Sequence, residues 1–165
     1  MARLTGSLAL TMDDTTAALR ALLEAREWHA ADDETRRLLI EDADVGGFIG
    51  VDADEASLLH CDLLVAIDDA WTSASDGHFG LGTQQRILAT ELKDSLATNE
   101  TWRSFGREVG WVRGREWIEA GDLIYSLDAP RGHLPYIPGI GTVVTTGRVY
   151  EAFLAFYNRV ADCKG

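Results

Sequence analysis

No stretch of this chain comes near the roughly 20 consecutive apolar residues that a membrane-crossing helix needs, and Met1 to Met12 lacks a basic start followed by an unbroken apolar run. Neither a membrane span nor a secretory leader is expected, and the expected location is the cytoplasm. Cysteine is scarce. Cys61 and Cys163 stand far apart among residues that read as helix, which gives no basis for a disulfide framework or a zinc quartet, so both are expected as buried or inert thiols. The four histidines, His29, His60, His78 and His133, form no i, i+4 pair with one another, so metal-ligand spacing is absent as well. Also missing are a G-x-S-x-G elbow, a phosphate-cradling G-x-x-x-x-G-K-[ST] and a G-x-G-x-x-G. The hydrolase, nucleotide and dinucleotide readings lose their main support.

Basic charge is short in one half of the chain only. Residues 1–76 carry seventeen acids against five bases, net −12, whereas residues 77–165 carry ten of each. A surface this acidic repels nucleic acid unless a concentrated basic stripe overrides it, and there is none. The arginines of the balanced half, among them Arg103, Arg107, Arg113, Arg115, Arg131 and Arg148, are where a carboxylate-bearing ligand would be accepted.

What is present reads as helix. At 165 residues with 46% hydrophobic and 25% charged side chains, the chain suits one self-sufficient globular domain. We divide it into an N-terminal segment, 1–14, and a core domain, 15–165. Leu19, Leu22, Leu23, Leu38 and Leu39 recur three and four apart, predicting a helical hairpin that breaks near Glu27 and Trp28. Its Asp32, Asp33 and Glu34 would occupy the first turn of the second helix, where the macrodipole favours acids. A glycine-rich loop is expected over residues 42–57, without the ligand offsets of a calcium loop.

A helix is predicted over Leu58 to Ser73, striped by Leu59, Leu63, Leu64, Ile67, Ala70 and Trp71. Asp62, Asp68 and Asp69 are expected on its solvated face rather than as a catalytic pair. After a turn at Asp76–Gly80, Thr83 is expected to cap a helix running to about Leu96, and Asn99 to cap another through Trp102, Phe105 and Val109, with Glu100 at its start. Residues 110–125 suggest brief helical turns rather than a sheet. All three prolines and four glycines fall between Asp128 and Gly147, predicting a long irregular loop before a last helix from about Arg148 to Asp162 with Val149, Phe153, Phe156 and Val160 on one face.

The unusual feature is the aromatic and glycine density from Phe79 to Tyr136. Phe79, Trp102, Phe105, Trp111, Trp117, Tyr125 and Tyr136 are interleaved with arginines and glycine-marked turns. Rings stack on aromatic faces, arginines pair with carboxylates, and glycine lets backbone approach a plane closely, so the composition suits a large flat ligand with acidic edges. The same residues also suit a packed core. Core filling is the stronger reading for Trp71 and Trp102, and the two are even for Phe79 and Trp111.

The series Asp62-Leu63, Ile67-Asp68, Trp71, Gly77-x-Phe79-Gly80 with Gln84, Trp102-x-x-Phe105-Gly106-x-x-Val109-Gly110-Trp111, Trp117, Asp122-Leu123 and Ala129-Pro130-x-Gly132-His133-Leu134-Pro135 resembles the genomes-uncoupled-four family. The closing Arg159-Val160-x-x-Cys163 is similar too. The resemblance covers about residues 17–165. It implies an all-helical single domain with a concave apolar palm, formed by long loops, that binds protoporphyrin or magnesium protoporphyrin, and in some members bilins or haem-like tetrapyrroles. It also implies stimulation of magnesium chelatase, so the expected partners are a tetrapyrrole and a chelatase subunit or another tetrapyrrole enzyme.

Carried over by motif, the resemblance points to Phe79, Gly80 and Leu81 on one wall and to Trp111, Trp117, His133, Leu134 and Pro135 on the other, with Phe105 and Val109 from the block that precedes Trp111. Arg113, Arg131 and Arg148 are added from charge alone as carboxylate partners. Members commonly place an arginine directly after V-G-W, where this chain has Val112 first. The expectation is a non-catalytic binding protein needing no cofactor. The alternatives are an enzyme using His133 or His78 as acid-base group in the same cup, and a protein-interaction module using the apolar surface.

Overall fold

The computed structural model describes residues 11–43, 58–93, 98–137 and 147–165, with side chains throughout except at 43 and 147–152. The expected 42–57 loop beyond residue 43, the helix end near Leu96 and the 138–146 part of the proline-rich stretch lie outside the described residues. Seven helices are present among them: α1 (Met12–Thr15), α2 (Ala17–Glu24), α3 (Trp28–Ala43), α4 (Cys61–Ser75), α5 (Leu81–Leu92), α6 (Asn99–Glu108) and α7 (Gly147–Lys164). Among the described residues the fold is all-helical apart from one small hairpin, and the elements pack into a single domain. No described helix is long and apolar enough to cross a membrane.

Among the described residues the first helix starts at Met12, ahead of the expected start at residue 15. The reason is a reciprocal cap: the Thr11 hydroxyl accepts from the Asp14 N–H while the Asp14 carboxylate returns to the Thr11 N–H. The hairpin break falls where predicted, between α2 and α3, with Arg26 in the left-handed region at φ 59°. Because α3 starts at Trp28, Asp32 stands in its second turn instead of its first. It is 1% exposed, not solvated.

In α4 the apolar residues Leu63, Leu64, Ile67, Ala70 and Trp71 recur at helical spacing and are buried, as the periodicity requires. The helix starts at Cys61, where Asp42 from the end of α3 accepts from the His60 N–H at 2.7 Å. It stops at Asp76, whose left-handed φ of 52° turns the chain. Asp68 departs from the expected solvated face and is buried.

The caps also differ from expectation. Thr83 lies inside the first turn of α5, its hydroxyl donating to the Gly77 carbonyl. The α5 start is capped from another helix: Asp68 Oδ1 accepts from the Gly82 N–H at 2.8 Å. Thr98, not Asn99, caps α6, accepting from the Thr101 N–H, and Glu100 does occupy the first turn. Residues 112–117 form a two-stranded antiparallel hairpin, β1 (Val112–Arg113) with β2 (Glu116–Trp117), where helical turns were expected; one 3-10 turn, Ala120–Asp122, follows. Gly114 at φ 64° makes the tight reversal possible.

Helix α7 packs against α4, α5 and α6, and α2 packs against α3 and α4. Phe153, Phe156, Tyr157 and Val160 form the buried face of α7. Two aromatic groups anchor the interior. Trp28, Trp71 and Phe79 meet with centroids 5.5–6.2 Å apart. Trp102, Phe105 and Tyr157 meet 5.0–6.5 Å apart. Burying each such side chain contributes about 1.5–3 kcal/mol. The two cysteines, expected as separate inert thiols, are joined: Cys61 at the start of α4 and Cys163 in the last turn of α7 form a disulfide, Cα atoms 5.0 Å apart across 102 residues of sequence. Sequence spacing could not show this, because only helix packing brings the two ends together.

Candidate functional site

The G-x-F-G turn and the G-H-L-P loop come together as one hydrogen-bonded junction. The Gly80 N–H donates to the Leu134 carbonyl at 3.1 Å, and the Gly132 N–H to the His78 carbonyl at 2.8 Å. His78 Nε2 lies 2.7 Å from the Ala129 carbonyl. Gln84, on the first turns of α5, donates its amide to the Gly132 and Pro135 carbonyls at 3.0 and 2.7 Å and accepts from the Tyr157 hydroxyl at 3.0 Å. One buried amide thereby ties the loop to both α5 and α7. Gly80 has to be glycine here: φ is +129°, and an added Cβ would stand 2.7 Å from Asp68 Oδ1.

His133 is a structural member of the same junction. Its Nδ1 lies 2.7 Å from the Val109 carbonyl, its Nε2 accepts from the Ile124 N–H at 3.0 Å, and its own carbonyl accepts from the Trp111 indole at 2.8 Å. A carbonyl on one side and an N–H on the other fix the neutral tautomer protonated at Nδ1. Burial lowers its pKa, against the opposing hydrogen bond to Val109. Gly110, at φ +80°, leaves room for this: a Cβ there would come within 2.9 Å of His133 Nδ1 and 2.8 Å of Pro130.

A third tie comes from α3. Asp32 Oδ1 accepts from the Tyr136 N–H at 2.7 Å, and Arg36 reaches Asp32 Oδ2 at 3.3 Å. Burial raises the Asp32 pKa to about 6, against the Tyr136 bond and Arg36. Burial, with Asp32 adding to it, pushes the Tyr136 hydroxyl up to about 12, and that hydroxyl donates to the Ile118 carbonyl.

The predicted site residues divide into two sets. Phe79, Gly80, Leu81, Phe105, Val109, Trp111, His133, Leu134 and Pro135 are buried in this junction and its core. Arg113 and Arg131 are exposed and Trp117 is half-exposed. Trp117 packs on Trp102 at a tilt of 31°, with centroids 5.4 Å apart, and closes over Gly106. Val112, the residue that displaces the arginine after V-G-W, is buried beside Gly106, so the alternation of the strand turns Arg113 outward. The side chain of Arg148 lies outside the described residues. Ile124 and Leu127, from the stretch of chain between Trp117 and Arg131, are also 43% and 40% exposed.

Asp68 and Gln84 stood in the series that carries the family resemblance, but nothing there assigned them a role; Asp32 and Tyr157 had no such signal, because their inward orientation depends on partners distant in sequence. Among the described residues no cluster of histidine, cysteine and acids suits a metal ion. A separate groove of about 500 Å³ lies between α2 and α4, floored by Leu23, Ala66, Ala70 and Ala74, and holds none of the predicted site residues.

Residues 11–151 match the family model described as GUN4-like. The chain is similar to the structure of GUN4 from Chlamydomonas reinhardtii, with a TM-score of 0.65 at 23% identity over 98% of this chain and 94% of that one. It is similar to the ligand-free structure of Arabidopsis thaliana GUN4, with a TM-score of 0.65 at 27% identity over 92% of this chain and 99% of that one. Over 90 residues it is 24% identical to the uncharacterized protein ycf53 of Cyanidium caldarium; that stretch is 53% of this chain and spans about a third of that relative's length, 35%.

Proposed function

Since this chain belongs to the GUN4-like family, we propose that it is a non-catalytic tetrapyrrole-binding protein that regulates magnesium chelatase. The observation that carries the reading is the family match across residues 11–151, which takes in both the G-x-F-G turn and the G-H-L-P loop. The junction between those motifs supplies a rigid frame, and the accessible side chains on it have the right chemistry. Trp117 offers a partly exposed ring and Ile124 and Leu127 offer exposed apolar surface, while Arg113 and Arg131 offer cations for propionate carboxylates. The nine buried residues act as scaffold, and ligand contact falls to the accessible set.

Burying part of a porphyrin face at about 25 cal/mol per Å² contributes several kcal/mol before ordering costs, enough for micromolar-range affinity. An acid-base role for His133 fits poorly, because both ring nitrogens are already engaged with backbone groups. Protoporphyrin, magnesium protoporphyrin, haem and biliverdin share the flat ring and the carboxylates and are all candidate ligands. A chelatase subunit is the expected protein partner.

Titration of the protein with each pigment, followed by Soret shift and tryptophan quenching, tests the proposal. A saturable change with at least one is expected; linear, non-saturating changes with all four would overturn it. Addition of the loaded protein to a chelatase assay then tests the regulatory part, with a raised rate as the expected result.

A further inference from the structure

The Cys61–Cys163 disulfide is flanked by two polar contacts from the end of α7, one to the residues before α4 and one to the middle of α4. Arg159, one turn before Cys163, donates through Nε and Nη2 to the Leu59 carbonyl at 3.0 and 2.8 Å. Lys164, the residue after Cys163, pairs with Asp68 Oδ2 and lies 3.5 Å from Asp69. Burial alone would lower the Lys164 pKa, and the hydrogen bond and charge of Asp68 more than offset that. The other oxygen of Asp68 caps α5 at Gly82. A chain of direct contacts thus runs from the disulfide through Lys164 and Asp68 to the G-x-F-G turn, and from Gly80 to Leu134 in the loop.

Both cysteines are only partly buried. The two sulfurs are not equivalent. Cys61 is the first residue of α4, where first-turn N–H groups lack intrahelical partners and the helix dipole stabilises a thiolate. Cys163 lies in the last turn of α7, where the dipole opposes one. Exchange is therefore directed: an incoming thiolate attacks Cys163 Sγ, and Cys61 leaves as the better-stabilised thiolate.

We propose that the Cys61–Cys163 disulfide is a substrate for dithiol–disulfide exchange, and that its reduction loosens the end of α7 from the start of α5 and the G-x-F-G turn. In the first step the S–S bond breaks and a mixed disulfide forms at Cys163 with one sulfur of the dithiol. The second sulfur of the dithiol then displaces Cys163 as thiol. Two electrons and two protons pass to the protein, which gains two thiols, and the reductant leaves as a disulfide. The coupling to the turn stands on the contacts alone; only its effect on pigment affinity rests on the function proposed above.

The full chain, oxidised and then equilibrated with dithiothreitol buffers of graded potential, tests this through thiol labelling and hydrogen exchange. Two thiols are expected to appear together, with exchange about tenfold faster at the amides of Gly82–Gln84 and of the α7 end in the reduced state. Cys61→Ser/Cys163→Ser should sit at the reduced values whatever the buffer. Thiols that stay free after oxidation, or equal exchange rates in both states, would overturn the proposal. Pigment titration of both states is the added arm: about a threefold or larger difference in Kd is expected. If no pigment binds either state the tetrapyrrole reading fails, while thiol labelling and exchange still decide this proposal.

Discussion

The junction around Gln84 and His133 and the hairpin that carries Arg113 are neighbours in the fold, yet they use polar atoms in opposite ways. In the junction three buried polar side chains each meet at least one backbone group: Gln84 two carbonyls, His133 a carbonyl and an N–H, Asp32 an N–H. At the hairpin, Arg113 and Trp117 remain accessible, as does Arg131 on the loop that packs against its start. A dense motif can therefore mark where irregular backbone has to be satisfied inside the protein, because unpaired buried polar groups cost about 1–3 kcal/mol each. The ligand contacts can be the plainer residues beside it.

The largest expected effect lies in the junction. Gln84→Met keeps the volume but removes both amide donors and the acceptor, leaving the Gly132 and Pro135 carbonyls and the Tyr157 hydroxyl without this partner. A loss of about 3–5 kcal/mol in urea unfolding is expected, with weaker pigment binding following from the damaged frame. A loss under about 1 kcal/mol would mean that the loop is held by packing rather than by its hydrogen bonds, and the contrast with the hairpin would collapse.

Much of the frame was readable from residue spacing. The apolar stripes of α4 and α7 and the α2–α3 break follow helical periodicity, and packing then buries what periodicity aligns. The misplaced caps at Thr11 and Thr98 are local shifts of a residue or a few, whereas the larger errors share one physical cause: each concerns a polar group or cysteine whose partner is remote in sequence. Asp32 meets Tyr136, Asp68 meets Gly82 and Lys164, and Cys61 meets Cys163. Local propensity places such acids on a solvated face, because it cannot see a buried N–H from another element. The hairpin at 112–117 was missed for a related reason, since four strand residues carry too little pattern to outweigh the flanking glycines. For the candidate site, motif matching located the junction but not which of its side chains reach the surface.

A middle-sized effect separates the junction by its response to pH. The folded-state pKa of Asp32, about 6, lies above its ordinary value of 3.8. The folded protein therefore holds the proton more tightly than the unfolded chain, and stability from this group is fully present below about pH 4 and lost as pH rises through about 6. At 1.36 kcal/mol per unit this amounts to at most about 3 kcal/mol. Asp32→Asn cannot ionise, keeps an acceptor for the Tyr136 N–H and should remove that slope, which unfolding curves at pH 4, 5, 6 and 7 would measure. The Arg113 and Arg131 variants should retain it. An unchanged slope in Asp32→Asn would show that the carboxyl is not held protonated by the junction.

The smallest expected effect is the one that assigns the ligand contacts. Arg113→Ala and Arg131→Ala remove exposed side chains that have no buried partner to orphan, so stability should stay within about 0.5 kcal/mol. If these cations meet propionates, each should weaken porphyrin binding by about two- to fivefold, equivalent to roughly 0.4–1 kcal/mol. The loss should shrink as salt is raised from about 0.05 to 0.5 M, because exposed charge pairs are screened. A porphyrin whose propionates are esterified should not distinguish variant from wild type, whereas Trp117→Ala should weaken the ester and the free acid alike. Equal losses for ester and acid in the arginine variants would mean that the guanidinium groups shape the protein rather than touch the ligand, and would return the contact surface to the buried residues of the junction.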